Sequence, residues 1–330
     1  IDLYYVMGAI YQEHLEQPQD AIETYRQVLD LDGTERGALE KLDELFEATE
    51  QWHELLETLE QTLQLATIAE EQETLKYRMG RLWEVHLGDS LRAVELFAEV
   101  LAANPDQQAA IEALEGLVER GESAVEAARV LEPLYQAKQE WTKLVYILRL
   151  LIGAAHDPVR QVELYKEVAQ IQEERLQDQP EAFATYVEAL GVEPGSEEIA
   201  DNLERIARDL GGWEILIEQI DARLADLSDF EVAAALQLRV ARIYEEELYQ
   251  AQPAIERFQR VMEIEPSSEP AILALARLYQ SEGQWVELVE ILKTRIYHSD
   301  DPQETLELRL RLGILQQSAL DDAEAAITTY

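Results

Sequence analysis

The sequence predicts an all-α solenoid, and three regularities predict it. Small residues recur in one column, Gly8, Gly80, Ala169, Ala241 and Gly313, at spacings of 72, 89, 72 and 72 residues. Each is followed thirteen positions on by an alanine (Ala21, Ala93, Ala182, Ala254, Ala326) and four further by an aromatic (Tyr25, Phe97, Tyr186, Phe258, Tyr330). A tryptophan then closes each complete unit, at Trp52, Trp141, Trp213 and Trp285. A fixed period of this kind marks tandem copies of one structural unit, each burying its apolar face against the next.

The helices follow in order from the pattern. Leu3, Met7, Ile10 and Tyr11 step by three and four, as do Leu236, Val240, Ile243 and Tyr244, so the first helix of each unit carries one apolar stripe. Pro18, Pro180 and Pro253 sit just before a second helix, where a missing N–H costs nothing. That helix, with Ala254, Ile255, Phe258, Val261 and Met262 as its example, is stopped by Gly33, Pro105, Pro194 or Pro266. Proline cannot continue a helix and glycine ends one readily. A third helix follows (Ile272, Leu275, Leu278, Tyr279). The turn Glu282-Gly283-Gln284 leads to a fourth (Trp285, Leu288, Val289, Leu292, Ile296). Asp157-Pro158 and Asp301-Pro302 then read as an N-cap followed by proline at the first helical position. Short loops make neighbouring helices antiparallel. The units are 1–72, 73–161, 162–233, 234–305 and a partial 306–330, in one solenoid over 1–330.

One unit is longer. From Pro105 to Trp141 is 36 residues, against 19 from Pro194 to Trp213, and the excess of 17 lies within 107–139. Ala110, Leu114, Leu117 and Val118 form one stripe and Val125, Ala128, Leu131, Leu134 and Tyr135 another, with Gly121-Glu122-Ser123 between them. Glycine and serine interrupt the helical pattern there, which predicts an inserted helix and a bend or offset between residues 1–120 and 123–330. Within each unit the small column lets paired helices approach, with the alanine thirteen on facing it. The Tyr/Phe and Trp columns supply buried apolar area between hairpins.

A small residue with an aromatic three later (Gly8/Tyr11, Gly80/Trp83, Ala241/Tyr244), then Ala, then Tyr or Phe, then Pro, resembles the tetratricopeptide repeat. The second half-unit (Leu275, Ala276, Tyr279, Gly283, Trp285, Leu288, Leu292) resembles it in the same order. The family period is about 34 residues; the half-units here measure 35 and 37, which makes the repeat divergent. The resemblance implies a right-handed superhelix of antiparallel helix hairpins. It also implies a concave groove lined by first helices, where outward residues lie three before, one after and four after the small column. Here those are Tyr5, Ala9 and Gln12; Tyr77, Arg81 and Glu84; Lys166, Gln170 and Glu173; Leu238, Arg242 and Glu245. Aromatics and both charge signs on that face suit a peptide or helix partner. Family members that clamp a peptide carboxylate use Lys, Arg and Asn. The two asparagines, Asn104 and Asn202, lie away from this face, so that clamp is not expected.

Bulk composition narrows the classes. The chain has 330 residues, 47% of them hydrophobic, and a formal net charge of −41. Cores tend to split beyond roughly 250 residues, a limit that a solenoid avoids by extending. So acidic a surface excludes nucleic acid as a ligand, because phosphate binding needs surplus Lys and Arg. A basic protein partner fits the charge, as does a charge that only keeps a long surface soluble. There is no cysteine, so disulfides and thiolate chemistry are excluded, though no compartment follows. The densest apolar run, Leu144 to Ala155, is too short to span a membrane and carries Arg149. No basic segment followed by an apolar core opens the sequence. It starts on Ile1-Asp2-Leu3, already inside a repeat, and stops on the repeat mark Tyr330, which reads as a fragment of a longer protein.

No enzyme constellation is expected. His53-Glu54-Leu55-Leu56-Glu57 lacks the last letter of a zinc-protease signature, and the repeat's own pattern accounts for it. His14 and His86 share a repeat position held elsewhere by Arg175 and Glu247, and the five histidines lack ligand spacing. Asp30 to Glu40 reads as the turn between second and third helices; its glycine is fourth, where a calcium loop needs it sixth. No phosphate loop or nucleophile elbow occurs, and no metal or cofactor is expected. The functional expectation is a non-catalytic scaffold for protein–protein contacts. The alternatives are a docking or regulatory module of a larger enzyme or signalling protein, and an acidic chaperone for basic proteins.

Overall fold

A computed structural model describes residues 1–330 as nineteen α-helices with no strand. They cluster into two compact units, Ile1–Ala155 and His156–Tyr330. The division falls in the loop after Ala154. The first unit holds α1 (Asp2–Glu13), α2 (Pro18–Leu31), α3 (Arg36–Ala48), α4 (Trp52–Leu65) and α5 (Ala69–Leu82). It continues with α6 (Ser90–Ala103), α7 (Gln108–Arg120), α8 (Ala124–Lys138) and α9 (Trp141–Ala154). The second holds α10 (Pro158–Glu174), α11 (Gln179–Val192), α12 (Glu197–Leu210), α13 (Trp213–Leu224) and α14 (Phe230–Arg242). After these come α15 (Ala251–Ile264), α16 (Glu269–Ser281), α17 (Trp285–His298), α18 (Pro302–Ser318) and α19 (Ala323–Thr329).

The stop signals act where the sequence puts them. Gly33, Pro105, Pro194 and Pro266 each stand two residues past the end of α2, α6, α11 and α15. Asp157 accepts the Val159 amide at 3.1 Å and Asp301 that of Gln303 at 2.9 Å, so both aspartates cap their helices and satisfy otherwise orphaned N–H groups. Asp32, in the α2–α3 turn, accepts the Thr34 amide at 3.0 Å and its hydroxyl at 2.7 Å.

Two turn types alternate. After each first helix, the residue eight past the small one is left-handed: Glu16, Gly88, Gln177, Tyr249 and Asp321. The next amide reaches back six residues, from Gln17 to Tyr11, Asp89 to Trp83, Asp178 to Gln172, Gln250 to Tyr244 and Asp322 to Gln316, at 2.8–3.2 Å. These helices therefore end on a widened turn, which at Trp83–Leu87 and Ile243–Glu247 is a full turn of π-helix. Ahead of each tryptophan, Glu50, Gln139, Gly211 and Gly283 are left-handed. Here the following amide reaches back five residues, as from Gln51 to Phe46 and Gln284 to Tyr279, both 2.9 Å. That is the Schellman closure.

Between Pro105 and Trp141 lie two helices, α7 and α8, where the other units have one. Gly121, at φ 74°, ends α7, and the Glu122 amide closes on Leu117 at 3.0 Å. The Glu115 carboxylate on α7 accepts the Tyr135 hydroxyl of α8 at 2.6 Å and the Lys143 ammonium of α9 at 2.7 Å. One acid thus ties three helices.

The small column meets the aromatic column. A Cβ on Gly8 would lie 2.6 Å from the Tyr25 ring, one on Gly80 2.6 Å from Phe97, and one on Gly313 2.6 Å from Tyr330. The group seated on each glycine is the ring seventeen residues on, rather than the alanine thirteen on. That alanine is buried in all five copies. The Trp column is less buried than its periodicity suggests. Trp213 is buried, but Trp52, Trp141 and Trp285 are half-buried.

Candidate functional site

The candidate surface is the row of first and third helices. In the first unit, α1, α3, α5 and α7 contribute. Arg78 on α5 forks onto the Asp43 carboxylate of α3 at 2.6 and 2.8 Å and reaches Glu47 at 3.2 Å. Glu84 accepts Arg81 and, from α7, Arg120, both at 2.6 Å, and its side chain is only 4% exposed. Tyr5 donates to Glu35 at 3.3 Å and tilts over Tyr25 with centroids 5.8 Å apart. Burial, followed by the Glu35 charge and hydrogen bond, pushes its phenol up to about 12. Tyr77 lies against Phe97 in the same tilted way.

In the second unit the pattern repeats. Lys166 pairs with Glu198 across α10 and α12, and Glu173 with Arg205, whose Nη2 lies 2.7 Å from Oε2. The Arg205 hydrogen bond holds the Glu173 carboxyl below its ordinary 4.5, outweighing burial. Arg239 on α14 reaches Asp201 at 2.8 Å and Glu204 at 2.7 Å on α12. Arg208 reaches Glu247 at 2.7 Å. Glu245 accepts Arg277 of α16 through Nε at 2.9 Å and Nη2 at 2.7 Å. Arg311 of α18 donates to Gln280 at 2.5 Å.

These contacts form a ladder with two repeat columns as rungs. Arg78, Arg239 and Arg311 stand two before the small residue, and Glu84, Glu173 and Glu245 stand four after it. The ladder takes up much of the expected groove set. Glu84, Lys166, Glu173 and Glu245 bond a neighbouring helix, Arg81 bonds Glu84, and Tyr5 bonds Glu35. Gln170 bonds Glu174 on its own helix at 3.0 Å and remains exposed. Arg242 is exposed, and Leu238, Gln12, Ala9 and Tyr77 are half-buried.

One feature on this side escaped sequence reasoning. His86 stacks on Trp52 with centroids 3.7 Å apart and planes 17° apart. The pair borders a cleft of about 270 Å³ also lined by Leu55, Tyr77, Arg78 and Arg81. The widened π turn, which no residue pattern announced, carries His86 there. No group of three or more His, Cys, Asp or Glu could hold a metal ion. No helix is long and apolar enough to cross a membrane.

Residues 271–306, spanning α16, α17 and the start of α18, match the family model of the tetratricopeptide repeat. No curated protein matches the sequence. Similar solved structures include Naa15/Naa10 bound to HypK-THB, at 14% identity over 99% of this chain with a TM-score of 0.28. Others are the TPR domain of P58(IPK), at 15% over 98% of this chain and 99% of that one with a TM-score of 0.26, and pilF of Pseudomonas aeruginosa, at 12% over 79% and 89% with 0.31. The chain spans 57% of the length of the first of these. Likenesses this low decide nothing about function. The chain is an array of antiparallel helix hairpins that resembles a divergent tetratricopeptide repeat, with the family model matched over residues 271–306.

Proposed function

We propose that the chain is a non-catalytic scaffold that holds a protein or peptide on its first- and third-helix faces. The observation that carries this reading is the ladder itself. Cross-helix ion pairs fix those helices side by side, while Gln12, Tyr77, Gln170, Leu238 and Arg242 keep surface between the rungs. A rigid row of side chains at regular helix spacing costs little ordering entropy when a partner docks. The net charge of −41 favours a basic partner through steering at low ionic strength.

The test is site-specific photo-crosslinking from position 170 in the native host, with Leu238→Glu and Arg242→Glu as variants. One defined protein should crosslink at this position and be lost in the variants, with the helical content unchanged. Crosslinking that the variants leave intact, or a turnover activity abolished by them, would contradict the scaffold reading. An acidic chaperone for basic proteins, the second reading that the charge favours, requires binding that collapses as salt rises past a Debye length of about 8–10 Å.

A further inference from the structure

The repeat lets one rung of the ladder be compared with its own copies. It joins the position three before the small residue, on a first helix, to the position twenty-nine after it, on the third. In the unit of α10 the rung is an ion pair, Lys166 of α10 to Glu198 of α12. In the first unit it is a ring. Tyr5 of α1 covers Gly37 of α3 so closely that a Cβ there would lie 2.7 Å from the phenol oxygen, which donates to Glu35. In the unit of α14 the two positions are Leu238 and Pro270. Neither side chain carries a polar group, so no polar bond crosses there.

Where that rung is missing lies a cleft of about 540 Å³, between the start of α14, the end of α15 and the start of α16. Leu238, Val261, Ile264 and Pro270 give it an apolar floor, and no lysine or arginine lines it. Three carboxylates do: Glu231, Glu265 and Glu269, all exposed. None of the ion pairs around α14 to α16 engages them. Phe230 borders the same cleft and is 76% exposed. Its column holds Pro158 and Pro302 in the neighbouring units, so the helix start does not require an aromatic there. Proline is the residue preorganised for that position, and Asp229 caps α14 through the Glu231 and Val232 amides at 3.0 and 3.3 Å.

A ring left in water, an apolar floor and unpaired negative charge together select one kind of side chain. An arginine can lay its aliphatic stem on the floor, its guanidinium over the Phe230 face and its N–H fork onto the carboxylates. A lysine gains less from the ring and has no fork. A tyrosine, as seated in the first unit, leaves the carboxylates unpaired. We propose that this cleft receives an arginine side chain of the protein partner, with an apolar residue next to it covering the rest of the floor. The assignment rests on the scaffold reading and gives that partner its chemistry.

The test places 4-fluorophenylalanine at position 230 of the whole chain and follows its fluorine resonance during titration with the blocked tripeptide Leu-Arg-Leu. The resonance should shift saturably in the millimolar range. The same peptide with citrulline for arginine, alike in shape and uncharged, should bind about tenfold more weakly, the worth of one hydrogen bond to a charged group. The arginine peptide should be weakened likewise on a chain with Glu265→Gln and Glu269→Gln, both exposed positions. Rebuilding the rung of the α10 unit with Leu238→Lys and Pro270→Glu should fill the cleft and abolish the shift, with a melting temperature no lower than the parent's. A resonance that does not move, an equal response to the citrulline peptide, or undiminished binding by either variant chain would overturn the proposal. The scaffold reading is tested separately by crosslinks from position 170, which does not line the cleft. A partner that crosslinks there and is held equally by the rebuilt chain would leave the scaffold standing and the arginine cleft refuted.

Discussion

A Cβ on Gly80 would meet the Phe97 ring 2.6 Å away. Contacts that short force the ring to shift, and overpacking of this kind costs about 1–3 kcal/mol. Gly80→Ala should therefore lower stability despite alanine's better helix propensity. Gly153 on α9 has nothing within 4 Å of a Cβ, so Gly153→Ala should gain up to about 1 kcal/mol. Opposite signs in urea denaturation check both. The left-handed turn residues give a second residue-scale expectation. Gln139 sits at φ 59° where its counterparts at 211 and 283 are glycine. Non-glycine residues are strained there by about 1–2 kcal/mol, so Gln139→Gly should raise the denaturation midpoint and Gly283→Gln should lower it. The sequence marked the small column plainly but not its partner. Spacing alone cannot tell whether Ala21 or Tyr25 faces Gly8, because both lie on a helix that packs against α1. The left-handed column was hidden for a related reason: only Gly88 of its five members is a glycine, so Glu16 and Tyr249 read as ordinary loop residues.

At the scale of elements, the ladder makes the stacking of first and third helices depend on ionisation. Glu173 is held below its ordinary value of 4.5 by Arg205. A carboxylate with a depressed folded value contributes stability that is present above the unfolded value and lost as pH falls through the folded one. Arg205→Gln should then remove part of the acid-side loss, so its stability between about pH 3 and 5 should fall less steeply than the parent's. Denaturant midpoints across that range check it, and parallel curves would contradict it. Helix existence was legible in the sequence because caps, prolines and stripes agreed, as at Asp157-Pro158 and at the two stripes of α7 and α8. The helix ends were not. The widened closing turns at Trp83–Leu87 and Ile243–Glu247 depend on a backbone register that side-chain type does not encode, so His86 could not be placed on Trp52. The groove positions were located by resemblance, yet five of the twelve, Tyr5, Glu84, Lys166, Glu173 and Glu245, turned out to bond a residue outside their own helix, since only three-dimensional stacking brings Glu84 to Arg120 or Glu245 to Arg277.

Across the whole molecule, stability is a sum of local terms in which each hairpin leans on the next. Trp213 is the one fully lodged indole of its column, with the Arg208 guanidinium 5.6 Å over its ring. Removing it should cost about 3–5 kcal/mol, because a cavity remains. The measurement that tests this account most directly is amide hydrogen exchange on Trp213→Ala. Protection should fall from α12 through α15 and stay at the parent level in residues 1–155, since the lost contacts belong to the second unit's core. Uniform loss of protection from end to end, as in a single cooperative globule, would contradict it, and so would a profile indistinguishable from the parent's.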